Sequence, residues 1–188
     1  MSIIGFLGKA RAGKDTAADY LVKNHGYIKM SFAHPLKEIC RTLFGFTDDQ
    51  LYGNKKEELD SNWGVTPRRT LQFIGTDMFR NNIEKLFPDI GNNFWAHCVK
   101  VKYEQELKNN PNFKCVISDV RFQNEIDMIN SLQGDVIKVQ RDVADNIESQ
   151  YTLHESEINI DNLVGYKEIS NNSTIIDLHS KINNILKL

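Results

Sequence analysis

The first sixteen residues constrain this chain more than any other stretch. An apolar run of Ile3, Ile4, Phe6 and Leu7 stops at Gly8, four residues intervene, Gly13 and Lys14 follow, and from Thr16 the pattern turns helical. That is strand, glycine loop and helix in immediate succession. Such a loop suits a polyphosphate, which must be wrapped by backbone N–H groups that no side chain obstructs, at a helix N-terminus carrying partial positive charge. Gly8 and Gly13 leave that access open, and Lys14 has the length to reach terminal phosphates.

The Gly-x4-Gly-Lys spacing resembles the P-loop, or Walker A motif, of nucleoside triphosphate enzymes. A dinucleotide-binding loop is disfavoured, since Gly-x-Gly-x-x-Gly is absent and a lysine has no role there. The residue after the lysine is Asp15 rather than Ser or Thr, with Thr16 next, so the hydroxyl that would ligate Mg²⁺ directly is displaced by one position. Asp15 holds the metal through water, favours the helix N-terminus electrostatically, or does both.

With 188 residues, 40% hydrophobic and 26% charged, the chain fits one compact soluble domain. A net charge of −2 points to no nucleic-acid or membrane surface, so positive charge must act locally. The three cysteines, Cys40, Cys98 and Cys115, lack metal spacing and read as buried reduced thiols in a reducing compartment. The first strand begins directly after Ser2, which argues against a signal peptide, and no apolar run reaches the ~18 residues of a membrane span. The polar stretch Gly53 to Gly64 reads as an insertion rather than a domain boundary.

The first helix is expected over about Lys14 to Lys23, with Ala17, Ala18, Leu21 and Val22 on one face and Gly26 past its end. Tyr27 to Met30 reads as a short strand. Pro35 opens a helix with Leu36, Ile39, Cys40, Leu43 and Phe44 inward. Lys37 lies off that face, as a solvated lysine or a phosphate contact. Thr66-Pro67 starts a helix running to about Arg80, with Leu71, Ile74 and Met78 on one side and Arg69, Gln72, Thr76 and Arg80 opposite. Adjacent Arg68 and Arg69 at that start, with Gln72 a turn later, suit an anion needing forked donors. Phe94 to about Leu107 is a further helix, capped by Asn92 or Asn93, with Phe94, Trp95, Cys98 and Val101 inward. Trp95 reads as core or as the wall of a base pocket.

Cys115 to Asp119 reads as a buried parallel strand closing on a carboxylate, and Val120-Arg121-Phe122 leads into a helix with Ile126, Met128, Ile129 and Leu132. An acid ending an apolar strand resembles a Walker B site, although a strand-end Asp is also a common helix cap. Asp135 to Gln140 is the next strand, ending at Arg141. The segment 142–166 contains no Lys or Arg and has the position of a lid. His154-Glu155 is no zinc motif, because Ile158 stands where the second histidine would be. Tyr166 to Ile169 reads as the last strand. A Ser170-Asn171-Asn172-Ser173 turn then leads into a terminal helix with Ile175, Ile176, Leu178, Ile182, Ile185 and Leu186 inward.

Taken in order, Gly13-Lys14-Asp15-Thr16, Pro35-Leu36-Lys37, Arg68-Arg69 with Gln72 and Gly75-Thr76-Asp77, Phe94-Trp95, Asp119-Val120-Arg121, Val139-Gln140-Arg141 and Asn171-Asn172-Ser173 resemble the phage-type deoxynucleoside monophosphate kinases of the P-loop nucleotide kinase superfamily. The resemblance implies an α/β fold of P-loop NTPase type, a five-stranded parallel sheet flanked by helices on both faces, with ligands at the carboxyl ends of the strands. It implies one kinase domain over 1–188, with about 31–110 as a monophosphate-binding helical region and about 141–160 as a lid. ATP would be held by Arg11, Ala12, Gly13, Lys14, Asp15, Thr16, Arg141 and Asn171. The monophosphate would be met by Pro35, Lys37, Arg68, Arg69, Gln72, Gly75, Thr76, Trp95, Asp119 and Arg121. Mg²⁺ would sit by Asp15, Thr16 and Asp119, through water. Many relatives carry several lid arginines, whereas this chain offers Arg141 alone.

The implied reaction transfers the γ-phosphoryl of ATP to a deoxynucleoside monophosphate, with Lys14, Arg121 and Arg141 as catalytic cations. Because the acceptor is already an anionic phosphate, positioning and charge neutralisation carry the rate. The expected partners are small-molecule nucleotides, without nucleic acid or membrane, in the cytoplasm (a host's, for a viral chain); a homodimer is left open. Two alternatives stand beside this. One is a kinase of dephospho-coenzyme A or phosphomevalonate type. The other is a GTP-binding switch, against which Asp119-Val120-Arg121-Phe122 lacks the switch glycine and Asn54-Lys55-Lys56-Glu57 departs from the guanine-reading Asn-Lys-x-Asp.

Overall fold

The protein's architecture is given by a computed structural model that describes residues 2–142 and 160–188. Helices α1 (Lys14–His25), α2 (His34–Phe44), α3 (Asp48–Leu51), α4 (Pro67–Gln72), α5 (Phe94–Asn109), α6 (Gln123–Ser131) and α7 (Ile175–Leu186) alternate with strands β1 (Ile3–Leu7), β2 (Ile28–Met30), β3 (Cys115–Val120), β4 (Asp135–Gln140) and β5 (Lys167–Ser170). The chain divides into two compact units, one made of Met1–Ser31 with Lys100–Leu188 and the other of Phe32–Val99.

All five strands belong to the first unit and pair in parallel in the order β2-β3-β1-β4-β5. This is the sheet expected from the sequence. β1 is wholly buried at its centre because both of its faces are covered. Ile4 and Phe6 pack with Ala17, Ala18 and Leu21 of α1 and with Leu178, Ile182 and Leu186 of α7. Gly5 faces the other way, toward α6, where an added Cβ would stand 2.6 Å from Ile129. The chain leaves β1 toward β2 and β3 on one side and returns to β4 and β5 on the other. The carboxyl end of β1 is therefore the point where the strand order reverses, the usual place for a ligand.

The second unit buries Cys40, Phe46, Leu51 and Ile74, with Leu36, Ile39, Phe44, Leu71 and Phe79 packed against them. Its polar loop is structured by Asp60, which accepts from the backbone N–H groups of Asn62 and Trp63 and from Gln50 Nε2. The Trp63 indole donates to Phe44 O at 2.8 Å.

Several side chains expected inward point out instead. α1 runs on to His25, and Val22 lies at the edge of its buried stripe. In α2, Leu43 is exposed while Phe46, just past the helix, enters the core. In α5 the buried stripe is Trp95, Val99 and Tyr103, four residues apart, which turns Val101 to the surface. Ile175 and Ile176 begin α7 before its buried stripe and are 56% and 72% exposed. The helix expected to reach Arg80 changes its winding: α4 ends at Gln72 and Phe73–Met78 is π-helical. Phe79 N–H donates to Ile74 O, five residues back. That wider turn breaks the 3.6-residue period, so Phe79 takes the core place expected for Met78, which is exposed.

Burial pushes the Cys115 thiol up to about 12 and the Cys40 thiol up to about 11, so both stay protonated at neutral pH. The described residues contain no disulfide and no helix long and apolar enough to cross a membrane. Of the lid expected over about 141–160, only residues 141, 142 and 160 lie among those described; His154 and Glu155 fall outside them.

Candidate active site

The loop after β1 takes the geometry its glycines permit. Gly8 sits at φ 146°, where a Cβ would lie 2.4 Å from Val139 O of the neighbouring strand. Gly13, the residue before α1, sits at φ 105°, where a Cβ would lie 2.4 Å from the Asn171 side chain. Between them Arg11 adopts φ 62°, a left-handed conformation that a non-glycine residue holds only at a cost. Lys14 Nζ donates to Gly8 O and Lys9 O, both at 2.8 Å, so its ammonium lies over the loop it follows.

A cleft of about 390 Å³ opens at this loop, within the first unit. Arg11, Gly13, Lys14, Asp15 and Thr16 line it from the loop side, and Arg141 and Asn171 from the ends of β4 and β5. Three cations thus share one concavity with a helix N-terminus, an arrangement built for an anionic chain. Between Arg11 and Thr16, Ala12 is the residue that does not line the cleft. It is buried, and its carbonyl accepts from Asn171 Nδ2 at 2.8 Å, so it serves the shape of the loop. Ser173, Ile175 and Leu178 complete the lining. In sequence Ser173 belongs only to the Asn-Asn-Ser turn, and Ile175 and Leu178 read as ordinary core, so nothing in the pattern marks these three as cleft residues.

Asp15 Oδ1 accepts from Lys29 Nζ at 2.9 Å and from Ser118 Oγ at 2.8 Å. Partial burial works against its charge, but these two hydrogen bonds and the charges of Lys29 and Lys14 hold its carboxyl below the ordinary aspartate value. Ser118 and Asp119 are presented by a β-bulge. Gly5 pairs with Ile117 and Leu7 with Val120, so β3 advances three residues where β1 advances two. Asp119 Oδ2 accepts from Ser31 Oγ at 2.7 Å. The cap of α6 is another acid: buried Glu125 accepts from the backbone N–H groups of Arg121 and Phe122. Arg121 is exposed at that helix start. Neither Asp119 nor Arg121 lines the cleft. Asp15, Asp119 and the Thr16 hydroxyl supply oxygen donors only, which fits Mg²⁺, an ion that keeps several of its own waters.

In the second unit, Arg68, Arg69, Gln72 and Thr76 are exposed along α4 and the π-helical turn. Thr66 caps α4 through Arg69 N–H, and Arg68 is paired with Glu57. Lys37 Nζ stands 3.8 Å over the Tyr52 ring. Of its two readings Trp95 takes that of a core residue, and Gly75 is buried beside it. Trp95 is 4% exposed, packed on Phe79 and Phe94, and its indole donates to Gly75 O at 3.0 Å. Gly75 is itself buried against Leu36. These two fix the turn that carries Thr76 and present no open face. Half-buried Pro35 opens α2.

Comparison with known proteins agrees. Residues 46–182 match the deoxynucleotide monophosphate kinase family. The chain is 41% identical to the putative deoxynucleotide monophosphate kinase of Acanthamoeba polyphaga mimivirus over 97% of its own length and 94% of the relative's. It is 21% identical to the deoxynucleotide monophosphate kinase of Enterobacteria phage T4, covering all of both chains. Among solved structures, an unliganded sugar kinase from Janibacter is similar at 10% identity, with all of this chain and 95% of that one covered and a TM-score of 0.50, a likeness of fold alone. The chain belongs to the deoxynucleotide monophosphate kinase family.

Proposed function

We propose that this chain transfers the γ-phosphoryl of ATP to a deoxynucleoside 5′-monophosphate, giving ADP and the diphosphate, with the donor seated in the cleft at Gly8–Thr16. The observation that carries the reading is the convergence of Arg11, Lys14 and Arg141 on one cleft at the N-terminus of α1, in a chain of this family. Lys14 leaves its two loop carbonyls to bind the transferred phosphate, while Arg11 and Arg141 neutralise the rest of the triphosphate. Asn171 holds the loop open for it through Ala12 O. Mg²⁺, when bound, spreads the negative charge of the β- and γ-phosphates; Thr16, Asp15 and Asp119 would hold it, through its waters.

The acceptor falls to the exposed cations of the second unit. Arg68 and Arg69 anchor the monophosphate, and its phosphate takes the place of the Glu57 carboxylate on Arg68. Lys37 of α2, Gln72 of α4 and Thr76 supply further donors, Thr76 on the turn that Trp95 and Gly75 keep rigid. Arg121 balances charge developing on the transferred group. No strong general base is needed, because the acceptor phosphate is already an anion. The chain's net charge of −2 supports small-molecule partners rather than nucleic acid.

A coupled assay of ADP release with the four deoxynucleoside monophosphates and their ribo forms tests this. At least one deoxy acceptor gives turnover, and Lys14→Ala lowers kcat on the order of 10²-fold or more. Turnover of Lys14→Ala near that of the parent removes the assigned role.

A further inference from the structure

Asp15 puts a carboxylate on the wall of a cleft read as a triphosphate site, and its side chain is 75% exposed there. Alone, that charge would repel the ligand the loop is shaped to hold. It is not alone. Lys29 reaches from the edge strand β2 and bridges Asp15 at 2.9 Å and Asp19, one helical turn on, at 3.2 Å. Ser118, from the bulge in β3, donates to the same Asp15 oxygen. Lys29 and Ser118 do not line the cleft; both bond Asp15, which does, and Lys29 also bonds Asp19, which does not.

We propose that Lys29 is a positioning residue for nucleotide binding: it neutralises Asp15 and ties its carboxylate to the sheet, so that the anion cradle can carry an acid directly after its lysine. The proposal rests on the reading of Gly8–Thr16 as the ATP site. An ordinary exposed ion pair stabilises a fold slightly and leaves ligand affinity untouched. This pair sets the charge of the cradle itself.

ATP binding without magnesium, measured by calorimetry in EDTA, separates the two. Lys29→Met weakens binding about tenfold, and Lys29→Arg stays within about threefold of the parent. Asp15→Asn binds magnesium-free ATP at least as tightly as the parent, and adding it to Lys29→Met restores the lost affinity. The proposal is overturned by parental affinity in Lys29→Met, or by a double variant as weak as the single one. Should Lys29→Met not fold, Asp15→Asn decides alone: weaker magnesium-free binding overturns it. Lys14→Ala is the control for the underlying reading. If it binds ATP as the parent does, the loop is not the site and the proposal goes with it; if only the Lys29 variants fail, the loop reading stands.

Discussion

The side-chain amide of Asn171 donates a 2.8 Å hydrogen bond to the carbonyl of Ala12, joining residues 159 apart in the chain, while Asn171 N–H donates to Gln140 O at 2.6 Å. The turn after β5 thereby fixes the middle of the phosphate loop. Next to it, Asn172 accepts from Asp142 N–H and donates to the Asp142 carboxylate, which ties the same turn to the residue after Arg141. Asn171→Ala leaves a part-buried carbonyl without its donor, at a cost of about 1–3 kcal/mol. The expected result is a lower urea midpoint and an ATP KM raised about tenfold, with the KM of the monophosphate unchanged. Equal changes in both KM values would place the effect on global stability instead.

The two loop glycines differ in what blocks a side chain. At Gly8 the obstacle is Val139 O, backbone in a central strand that cannot yield. At Gly13 it is the end of the Asn171 side chain, which can rotate away. Both substitutions also force alanine into a positive φ, a strain of about 1–3 kcal/mol. Gly8→Ala should therefore be the more damaging for stability, and Gly13→Ala should fold but bind ATP weakly through loss of the Asn171 contact. Chemical denaturation of the two variants side by side checks the order. A Gly13→Ala less stable than Gly8→Ala would contradict it.

Trp95→Phe tests the π-helical turn. The indole donates to the carbonyl of Gly75 inside that turn, and phenylalanine keeps most of the ring packing on Phe79 and Phe94 while removing the donor. A buried carbonyl left unpaired costs about 1–3 kcal/mol, read as a fall in the urea midpoint. Thr76 lies beside Gly75, so the KM of the monophosphate should rise while that of ATP stays constant. A change in the ATP KM alone would refute the assignment of this turn to the acceptor.

The legible parts of this molecule are those set by local pattern. The buried runs at Ile3–Leu7 and Cys115–Asp119, the glycine spacing of the loop, and the Thr66-Pro67 helix start all follow from local pattern and capping, and the structure has them, the second run extending one residue to Val120. The winding of Phe73–Met78 was illegible, because a π-turn arises from how Phe79 and Ile74 meet the rest of a core, not from residue preference. Leu43, Val101, Ile175 and Ile176 show the same limit: an apolar residue at the margin of a stripe is inward or outward according to what lies opposite. At the site, the loop residues were readable as a contiguous motif. Lys29, Ser118 and Glu125 act through partners distant in the chain or through an unexpected cap, and no spacing announces them.

Asp15 makes acid stability a readout of the same network. Burial opposes its charge, but the Lys29 and Ser118 hydrogen bonds and the nearby ammonium groups outweigh that, so the folded pKa lies below the ordinary 3.8. A carboxyl depressed on folding contributes stability that is complete above its unfolded pKa and is lost as pH falls through the folded one. The stability of the parent relative to Asp15→Asn should then be constant at neutral pH and shrink only below about pH 4. In Lys29→Met the burial remains while the chief hydrogen bond and charge are gone. The folded pKa rises toward the ordinary value, and the acid-range difference between Lys29→Met and Lys29→Met/Asp15→Asn flattens. Urea midpoints from pH 3 to 7 for the four proteins measure it, and a parental slope retained in the Lys29→Met background would mean that Lys29 does not govern the Asp15 charge.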